Sequence, residues 1–440
     1  MNPTPLAVAF VRYRGELLVQ TGRDELPAQS GRKECSTPAE TSSTTTEKLA
    51  VPTGSTGDSP DEMAQTAIRD GTPLGRDDVS LVRAGEPFDA SEPSDGDWRN
   101  GLTVDAPVRF YPFLFECVAA PDFETDSTEF DWVSPVVLRG LSTSLWRAYD
   151  RVRPTVETVE SDTAHGSTTL SVRALEVLRD EATLVAAGES AYTGIEAVGE
   201  ALVTARPSMA AVSNRVHRAM SAAGTPPDPK RVAAVAHNEI ERAITADRDA
   251  AARVADTYVD GARVATLSRS GTVLTALETG SPEAVLVAES RPGGEGVAVA
   301  EQVSEMAATT LTSDAAFPGR LPEWGADVLI VGADSMLADG RAVNKVGTHA
   351  AAAVATAHGI EVVVAAAVDK ISPKTTFDPE DRDASELYEG ARPVAVDTPT
   401  FEAIPPQFLD AVVTERGVLD IEAVRDIASD HATRFAWLDE

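Results

Sequence analysis

The sequence predicts a mixed α/β protein in which an α+β domain, a helical subdomain and a doubly wound parallel sheet follow one another along the chain. Three patterns lead to this prediction. Short strand-like runs fill residues 1–153, apolar residues recur at helical spacing over residues 171–260, and apolar strands alternate with helices over residues 261–440. The last pattern is typical of a parallel, Rossmann-like sheet with helices on both faces.

Residues 1–153 are expected to form the α+β domain. A polar tract over residues 22–60, rich in Thr, Ser, Pro, Gly and Glu, predicts a long loop with little to bury. Ser59 is the expected N-cap of a short helix that begins at Pro60 and reaches about Asp70. Strands are predicted where apolar residues are concentrated, at residues 5–20 (a hairpin), 79–84, 108–118 and 130–135.

The second half of the chain is expected to begin after a linker, because residues 154–170 are polar and contain Pro, Gly and Ser. Four helices are predicted over residues 171–260, and the last of them starts at Pro229 behind an Asp228 cap. Six strands are then predicted for the parallel sheet, at residues 264–268, 284–290, 309–313, 327–334, 361–367 and 408–414.

The chain is strongly acidic, with 38 basic and 70 acidic residues and a formal net charge of −32. Such a charge argues against direct nucleic-acid binding and against contact with an acidic membrane. Lysine is scarce, at six residues, and an acidic, lysine-poor composition is typical of proteins from a high-salt cytoplasm. Cys35 and Cys117 are too few for a disulfide framework, and they do not have metal-ligand spacing. With no long apolar run and no signal-peptide pattern, we expect a cytoplasmic protein without membrane span, metal or cofactor.

Polar residues follow the ends of successive predicted strands of the parallel sheet. Because the carboxyl ends of parallel strands meet at one edge, we expect these residues to gather there. A carboxylate at a strand end, an Asn-Lys pair at the next helix start and an arginine followed by glycines suit a phosphorylated polyol. Alone, each is also an ordinary loop residue, but together they favour a phosphate-binding pocket. The residues concerned are Ser268, Arg291, Gly294, Gly296, Asp334, Asn344 and Lys345.

Four motifs in the second half of the chain resemble one known family. They are ARPSMAAVSNRV (205–216), ESRPGGEG (289–296), GADS with NKVGT (332–335 and 344–348) and FEAIPPQFLDAVVTERGVL (401–419). The family contains the alpha, beta and delta subunits of translation initiation factor 2B, together with methylthioribose-1-phosphate isomerase and archaeal ribose-1,5-bisphosphate isomerase. The resemblance covers about Ser171 to the C-terminus. It implies a homodimer or larger homo-oligomer and makes a translation factor a candidate partner.

The resemblance also implies roles for individual residues. The isomerases of the family use a Cys and an Asp as an acid/base pair on a sugar 1-phosphate, and the Asp corresponds to Asp334. Arg291, Asn344 and Lys345 match ligands of the phosphate and the sugar. The Cys position is occupied by Ser268, whose hydroxyl ionises far less readily than a thiol.

A second departure concerns an Arg-Gly-Ala phosphate loop that the isomerases carry in the helical subdomain. Its nearest match here is Arg173-Ala174-Leu175, in which the glycine is missing. Both departures favour the regulatory subunits, so the first hypothesis is a regulatory protein that binds a sugar or nucleotide phosphate. The alternative is an aldose–ketose isomerase for ribose 1,5-bisphosphate or methylthioribose 1-phosphate. In that case Asp334 is the principal acid/base and Ser268 or water is the second group.

The first domain resembles a Nudix domain in its hairpin, its GDSPDEMAQTAIRDGTP helix (57–73) and its YPFLFECV strand. Nudix enzymes hold Mg²⁺ with a carboxylate-rich helix whose core is Arg-Glu-hydrophobic-any-Glu-Glu. Here that core is TAIRDG (66–71), in which only Asp70 stands where the family has an acid. We therefore expect a catalytically inactive Nudix-like domain with a protein-contact or allosteric role. The minor alternative is a Nudix pyrophosphatase that uses Asp58, Glu62 and Asp70.

Overall fold

The computed structural model describes residues 3–21, 49–55, 59–90, 108–117 and 130–438. The chain forms two compact units, Met1–Arg153 and Pro154–Glu440. Most of the predicted polar loop over residues 22–60, including Asp58, lies outside the described residues. None of the described helices combines the length and the apolar character that crossing a membrane requires.

In the described part of the first unit, eight strands form one sheet that packs with helices. The strands are β1 (Thr4–Tyr13), β2 (Glu16–Thr21), β3 (Leu49–Ala50), β4 (Thr53–Gly54), β5 (Val79–Ala84), β6 (Phe88–Ala90), β7 (Val108–Cys117) and β8 (Phe130–Val133). The helices are α1 (Pro60–Gly71), α2 (Leu138–Leu141) and α3 (Thr143–Asp150). The main strand order is β3-β2-β1-β7-β5, and β1 and β7 are parallel.

Local sequence accounts for the hairpin and the helix predicted in the first unit. The hairpin of β1 and β2 turns at Arg14 and Gly15, whose φ angles are 51° and 76°. Helix α1 begins at Pro60 behind Ser59, whose hydroxyl accepts a hydrogen bond from the Glu62 N–H at 3.3 Å. The structure confirms both predictions.

Five helices open the second unit, and they are α4 (Val156–Glu160), α5 (Ser167–Ala187), α6 (Ile195–Ala205), α7 (Ala210–Ala222) and α8 (Pro229–Val254). The four helices predicted over residues 171–260 correspond to α5 to α8, and Asp228 caps α8 as expected. The segment over residues 154–170 differs from the predicted linker, because it contains α4 and the first turn of α5. Val159 and Leu170 are buried in the helical core, and these apolar side chains hold the polar segment in place.

The rest of the second unit contains strands β9 (Arg263–Thr266), β10 (Ala284–Ala288), β11 (Ala308–Thr312), β12 (Val328–Gly332), β13 (Ser335–Met336), β14 (Ala342–Lys345), β15 (Glu361–Ala365), β16 (Phe401–Ile404), β17 (Ala411–Thr414) and β18 (Gly417–Leu419). Its helices are α9 (Gly271–Thr279), α10 (Glu295–Ser304), α11 (Phe317–Trp324), α12 (Thr348–Ala357) and α13 (Ile421–Ala432). Seven strands form a sheet in the order β11-β10-β9-β12-β15-β17-β18. All neighbours are parallel except β17 and β18, so the predicted parallel sheet is confirmed.

Two features of the second unit create a place for a ligand. Strand order reverses between β9 and β12, so the segments that follow these strands diverge and leave a crevice. A small antiparallel sheet, β13-β14-β16, continues the chain directly after β12. Val343 of β14 and Phe401 of β16 belong to the core of the helical subdomain, so this small sheet joins the helices to the larger sheet.

Candidate functional site

Two adjacent cavities lie where the strand order reverses, beyond the carboxyl ends of β9 and β12. The smaller has a volume of about 110 Å³ and the larger a volume of about 370 Å³. Both are lined by His165, Gly166, Ser268, Arg269 and Asp334. The start of α5 and two strand ends therefore enclose one site, and Ser268 and Asp334 meet in it.

Asp334 follows β12, and its backbone N–H donates to the Val343 carbonyl at 2.9 Å, which fixes the residue at the cavity wall. Burial raises the pKa of the Asp334 carboxyl, while the charge of Lys370 and a hydrogen bond from the Ser167 hydroxyl act in the opposite direction. The net pKa is raised, so this carboxyl exchanges protons closer to neutrality than an exposed Asp does. That property suits a group that gives and takes a proton during a reaction.

Lys370 supplies a buried cation beside Asp334. It ends a single helical turn after β15, is 2% exposed and lines the smaller cavity. Burial lowers the pKa of Lys370, against the opposing charges of Asp247 and Asp334. Within the described residues its ammonium donates no hydrogen bond. A buried ammonium with unused donors at a cavity wall suits an anionic or carbonyl oxygen of a ligand.

Ser268, at the position where the resemblance places a Cys, lies just after β9 with a left-handed backbone (φ 65°). Its Oγ donates to Glu295 Oε1 at 3.1 Å, and the same carboxylate oxygen is 2.7 Å from Lys345 Nζ. Lys345 also donates to the Pro292 carbonyl at 2.8 Å. Ser268, Glu295 and Lys345 therefore form a hydrogen-bonded chain along the wall of the larger cavity.

Asn344 and Lys345 are on β14, which corrects the expectation that they open the following helix. Helix α12 begins at Thr348 behind Gly347, whose φ of 99° suits a glycine. The pairing of β14 with β16 fixes the two residues, and Asn344 is opposite Glu402. Asn344 lines the smaller cavity, and its amide donates to Thr348 Oγ1 at 3.1 Å. The pair therefore reaches the site from a strand.

The ESRPGGEG turn contributes less to the cavity walls than expected. The Arg291 side chain is 68% exposed and lines neither cavity. Gly293 lines the larger cavity instead. Gly294 has a φ of 74° as the N-cap of α10, and a Cβ added at Gly296 would be 1.8 Å from the Ala288 carbonyl oxygen. Gly294 and Gly296 therefore permit the tight backbone of the turn, and neither of them lines a cavity.

Arg173, the nearest match to the family's phosphate loop, does not reach the site. It is on α5, with its guanidinium 3.7 Å from the Glu176 carboxylate, and it lines neither cavity. The residues that line the cavities from this element are His165-Gly166-Ser167, with Gly166 as the N-cap of α5. The Gly-Ser-Thr-Thr sequence before an apolar helical pattern is the signal that could have located this helix start.

Basic side chains are numerous at the site, although the chain as a whole is acidic. The cations that line one or other cavity are Arg206, Arg269, Lys345, Lys370 and Arg382. Arg206, at the end of α6, donates to the Glu380 carboxylate at 2.8 Å and so ties the helical subdomain to the segment after β15. Four carboxylates line the cavities as well, so the site is far less negative than the chain, whose net charge is −32. This balance favours an anionic ligand.

Metal-ligating side chains do not cluster in the described part of the chain. No group of three or more His, Cys, Asp or Glu residues there could hold a metal ion. Of the three acids expected for a Nudix pyrophosphatase, Glu62 and Asp70 are described, and both are exposed on α1. The charged cavity of the second unit is therefore the candidate functional site.

A doubly wound sheet with a charged cavity where its strand order reverses, the topological switch point, defines a class of α/β proteins with a site for a small anionic molecule. Residues 163–421 match the Initiation factor 2 subunit family, and the chain belongs to this family. The family predicted from the four motifs is thereby confirmed. Residues 1–153 lie outside the match, and their resemblance to a Nudix domain stays a prediction.

Relatives with known names extend the comparison. Ribose 1,5-bisphosphate isomerase of Haloferax volcanii is 29% identical over an alignment 297 residues long, which covers 63% of this chain and 91% of the relative. Methylthioribose-1-phosphate isomerase of Xylella fastidiosa is 31% identical over an alignment 337 residues long, which covers 67% of this chain and 94% of the relative. The crystal structure of translation initiation factor eIF-2B from Pyrococcus horikoshii has a TM-score of 0.53 and 24% identity. The superposition covers 60% of this chain and 94% of the Pyrococcus horikoshii chain, and this likeness shows the fold alone.

Proposed function

We propose that the protein is an aldose–ketose isomerase acting on a sugar 1-phosphate, with ribose 1,5-bisphosphate and methylthioribose 1-phosphate as candidate substrates. The observation that carries the proposal is the Asp334 carboxyl, which lines the cavity at the switch point with a raised pKa. The relatives support it, because two of them are named as isomerases of these compounds. The cations of the cavity are the expected ligands of the substrate phosphate.

Isomerisation of an aldose 1-phosphate to a ketose 1-phosphate defines what the site has to do. The bond between C1 and the ring oxygen breaks, and the ring oxygen gains a proton. Hydrogen moves from C2 to C1, and the C2 hydroxyl loses a proton as the ketone forms. The reaction is redox-neutral overall, with one proton delivered and one removed, so it requires a proton donor and a proton acceptor.

Asp334 and Lys370 suit two of these tasks. The raised pKa of Asp334 gives it a larger protonated fraction than an ordinary Asp, so it can deliver the proton to the ring oxygen. Lys370 is beside it and can hold a substrate oxygen on which negative charge develops. Lys345, which Glu295 positions at 2.7 Å, is suited to the phosphate.

A second candidate function is ligand-dependent regulation without chemistry. Ser268 favours it, because a hydroxyl stands where the isomerases have a thiol, and this hydroxyl already donates to Glu295 at 3.1 Å. A serine hydroxyl hardly ionises at neutral pH, so it is a poor substitute for the thiol. Under this function the same cavity binds a sugar or nucleotide phosphate and reports it to a second copy or to a translation factor.

The experiment that separates the two functions uses the full chain in molar KCl. It is incubated with ribose 1,5-bisphosphate or with methylthioribose 1-phosphate, and ketose formation is followed by NMR. Asp334→Asn removes the proton-transfer group at nearly constant volume, and we expect turnover to fall about 100-fold or more. Asp249→Asn is the matched control, because Asp249 is an exposed acid on α8.

Three outcomes are informative. Ketose formation that is lost in Asp334→Asn and kept in Asp249→Asn supports the isomerase. Equal turnover in Asp334→Asn and the wild type contradicts the role of Asp334. If no ketose forms while the sugar phosphate raises the thermal midpoint of the protein, the regulatory function is favoured.

For the first unit we propose a Nudix-like domain without catalysis. Ala67 is buried where the family has its first acid, and Asp70 pairs with Arg69 at 2.9 Å on the exposed face of α1. This arrangement leaves too few carboxylates for the metal cage of the family. Incubation with Mg²⁺ and a nucleoside diphosphate derivative is expected to give no cleavage, and Mg²⁺-dependent product would contradict the proposal.

A further inference from the structure

We propose that His165, held by Asp162, is the proton acceptor of the site and takes over the task that a thiol performs in the family's isomerases. This inference rests on the proposed isomerase function. Its starting point is the need for a second proton-transfer group opposite Asp334, at a site where the hydroxyl of Ser268 is poorly suited to the task. The structure places an imidazole on the wall of both cavities.

Asp162 and His165 form a defined acid–imidazole pair. His165 Nδ1 lies 2.8 Å from Asp162 Oδ2, and the other carboxylate oxygen, Oδ1, accepts hydrogen bonds from the N–H groups of Ala164 at 2.9 Å and His165 at 3.0 Å. Two backbone donors and the imidazole thus hold one carboxylate. Because Asp162 accepts a hydrogen bond from Nδ1–H, the free lone pair of the neutral imidazole is on Nε2. This is the nitrogen that takes the proton when the imidazole acts as a general base.

The electrostatics of the pair agree with this role. Burial would raise the pKa of Asp162, but the hydrogen bond and the charge of His165 lower it. Asp162 therefore stays ionised beside the imidazole over the whole neutral range. An ionised carboxylate at Nδ1 stabilises the imidazolium that forms when Nε2 accepts a proton, so the pair favours proton transfer to His165.

The position of His165 is complementary to that of Asp334. His165 belongs to the segment before α5, whereas Asp334 follows β12, so the two groups approach the cavities from different elements. Both line the smaller cavity and the larger one. A sugar bound there has a raised-pKa carboxyl as donor and an imidazole as acceptor, which matches the one proton delivered and the one removed.

Ser268 is less suited to the same task. Its hydroxyl donates to Glu295, and that carboxylate is engaged with Lys345 at 2.7 Å, so the chain of contacts serves to position the phosphate-binding lysine. His165, by contrast, has a side chain 40% exposed. It can therefore return a proton to solvent after each turnover, whereas the Ser268 hydroxyl is half-buried and already donates to Glu295.

In chemical terms, Nε2 of His165 takes the proton of the C2 hydroxyl as the C2 ketone forms. The hydrogen of C2 moves to C1 with its bonding electron pair, that is, as a hydride. The electron pair of the C1–oxygen bond stays with the ring oxygen, and that oxygen takes the proton of Asp334. His165 ends protonated and Asp334 ends ionised. Exchange with solvent restores both groups, so no co-reactant is consumed.

The test compares His165→Gln, His165→Ala and a control, His358→Gln, in full-length protein that converts a sugar 1-phosphate to its ketose. His358 is exposed at the end of α12 and lines neither cavity. We expect kcat to fall about 100-fold in both His165 variants while KM changes little, because the lost group acts in the transition state. We expect added imidazole to restore part of the kcat of His165→Ala, and kcat of His358→Gln to equal that of the wild type.

The outcomes separate this inference from the function it rests on. Wild-type protein without turnover overturns the proposed isomerase and this inference with it. Wild-type turnover that His165→Gln leaves intact overturns this inference alone. A fall in kcat that imidazole does not restore, in a His165→Ala variant with the wild-type thermal midpoint, assigns His165 a structural role and also overturns it.

Discussion

Asp369 shows how one side chain joins the helical subdomain to the sheet. It follows β15, and its carboxylate accepts hydrogen bonds from Arg215 at 3.0 Å and from Arg218 at 2.8 Å, both of which are on α7. Burial alone would raise the pKa of Asp369, but the hydrogen bond from Arg218 and the charge of Arg215 hold it well below its usual range. Asp369 is therefore ionised and paired with the two arginines at neutral pH.

Replacement of Asp369 by Asn leaves one buried guanidinium group, that of Arg215, and one partly buried group, that of Arg218, without their shared carboxylate. We expect Asp369→Asn to lower the free energy of unfolding by about 3–5 kcal/mol at neutral pH, as measured by urea unfolding in KCl. Because the folded-state pKa is depressed, the stabilisation is fully present above the unfolded-state pKa of about 3.9 and is lost as the pH falls further. The difference between wild type and variant should therefore shrink on acidification. Asp249→Asn is the control, and a loss no larger than in that control would contradict the prediction.

Among the connecting elements, the turn of residues 289–296 is fixed by hydrogen bonds at one end and by close packing at the other. The carboxylate of Asp314 accepts hydrogen bonds from the backbone N–H groups of Ser290 at 2.7 Å and Arg291 at 2.6 Å. At the other end, Gly296 lies against the Ala288 carbonyl. The turn presents the Pro292 carbonyl and Glu295 to Lys345, so its geometry sets the position of that lysine.

Gly296→Ala tests this element. The new Cβ would be 1.8 Å from the Ala288 oxygen, so the turn must move, and we expect a lower thermal midpoint and weaker binding of a sugar phosphate. Gly319→Ala on α11 is the matched control, because a Cβ there meets nothing within 4 Å. It should be neutral or stabilising by roughly 1 kcal/mol, since alanine favours helices over glycine. Equal thermal midpoints for the two variants would disprove the argument.

The strands of the second unit show which features the sequence can predict and which it cannot. The parallel strands were predictable because each is a short apolar run between turn residues, and Asp334 was predictable because it ends such a run. The strand position of Lys345 was not, since β14 is four residues long and is defined by pairing with β16, more than 50 residues away. Lys370 and His165 were not predicted as site residues for a related reason. Their place in the site depends on which distant segments surround them, and local sequence patterns do not contain that information.

Considered as a whole molecule, the protein combines a net charge of −32 with a site in which cations and carboxylates nearly balance. Repulsion among the acidic residues opposes the compact state, whereas the opposite charges at the cavity walls largely offset one another. Salt should therefore affect the stability of the fold more than the arrangement of the cavity.

We expect the thermal midpoint to rise with KCl, mostly between about 0.05 M and 1 M, because the Debye length falls to about 3 Å over that range. Differential scanning calorimetry of the full chain at fixed pH measures the effect. Sucrose at matched osmolality is the control, since it leaves the charges unscreened, and it should raise the midpoint less. A midpoint that stays constant or falls as KCl is added would refute this expectation.

The contact between Arg206 and Glu380 joins residues 174 positions apart at the wall of the larger cavity. A sugar phosphate bound at this wall would connect the same distant segments, so its binding free energy would add to that of folding. At a ligand concentration of 100 times Kd, the added stability would be about 2.7 kcal/mol. Cellular proteases degrade proteins through their opened states. The lifetime of this protein would then follow the supply of its ligand, and a cell short of that ligand would remove the protein faster than a well-supplied one.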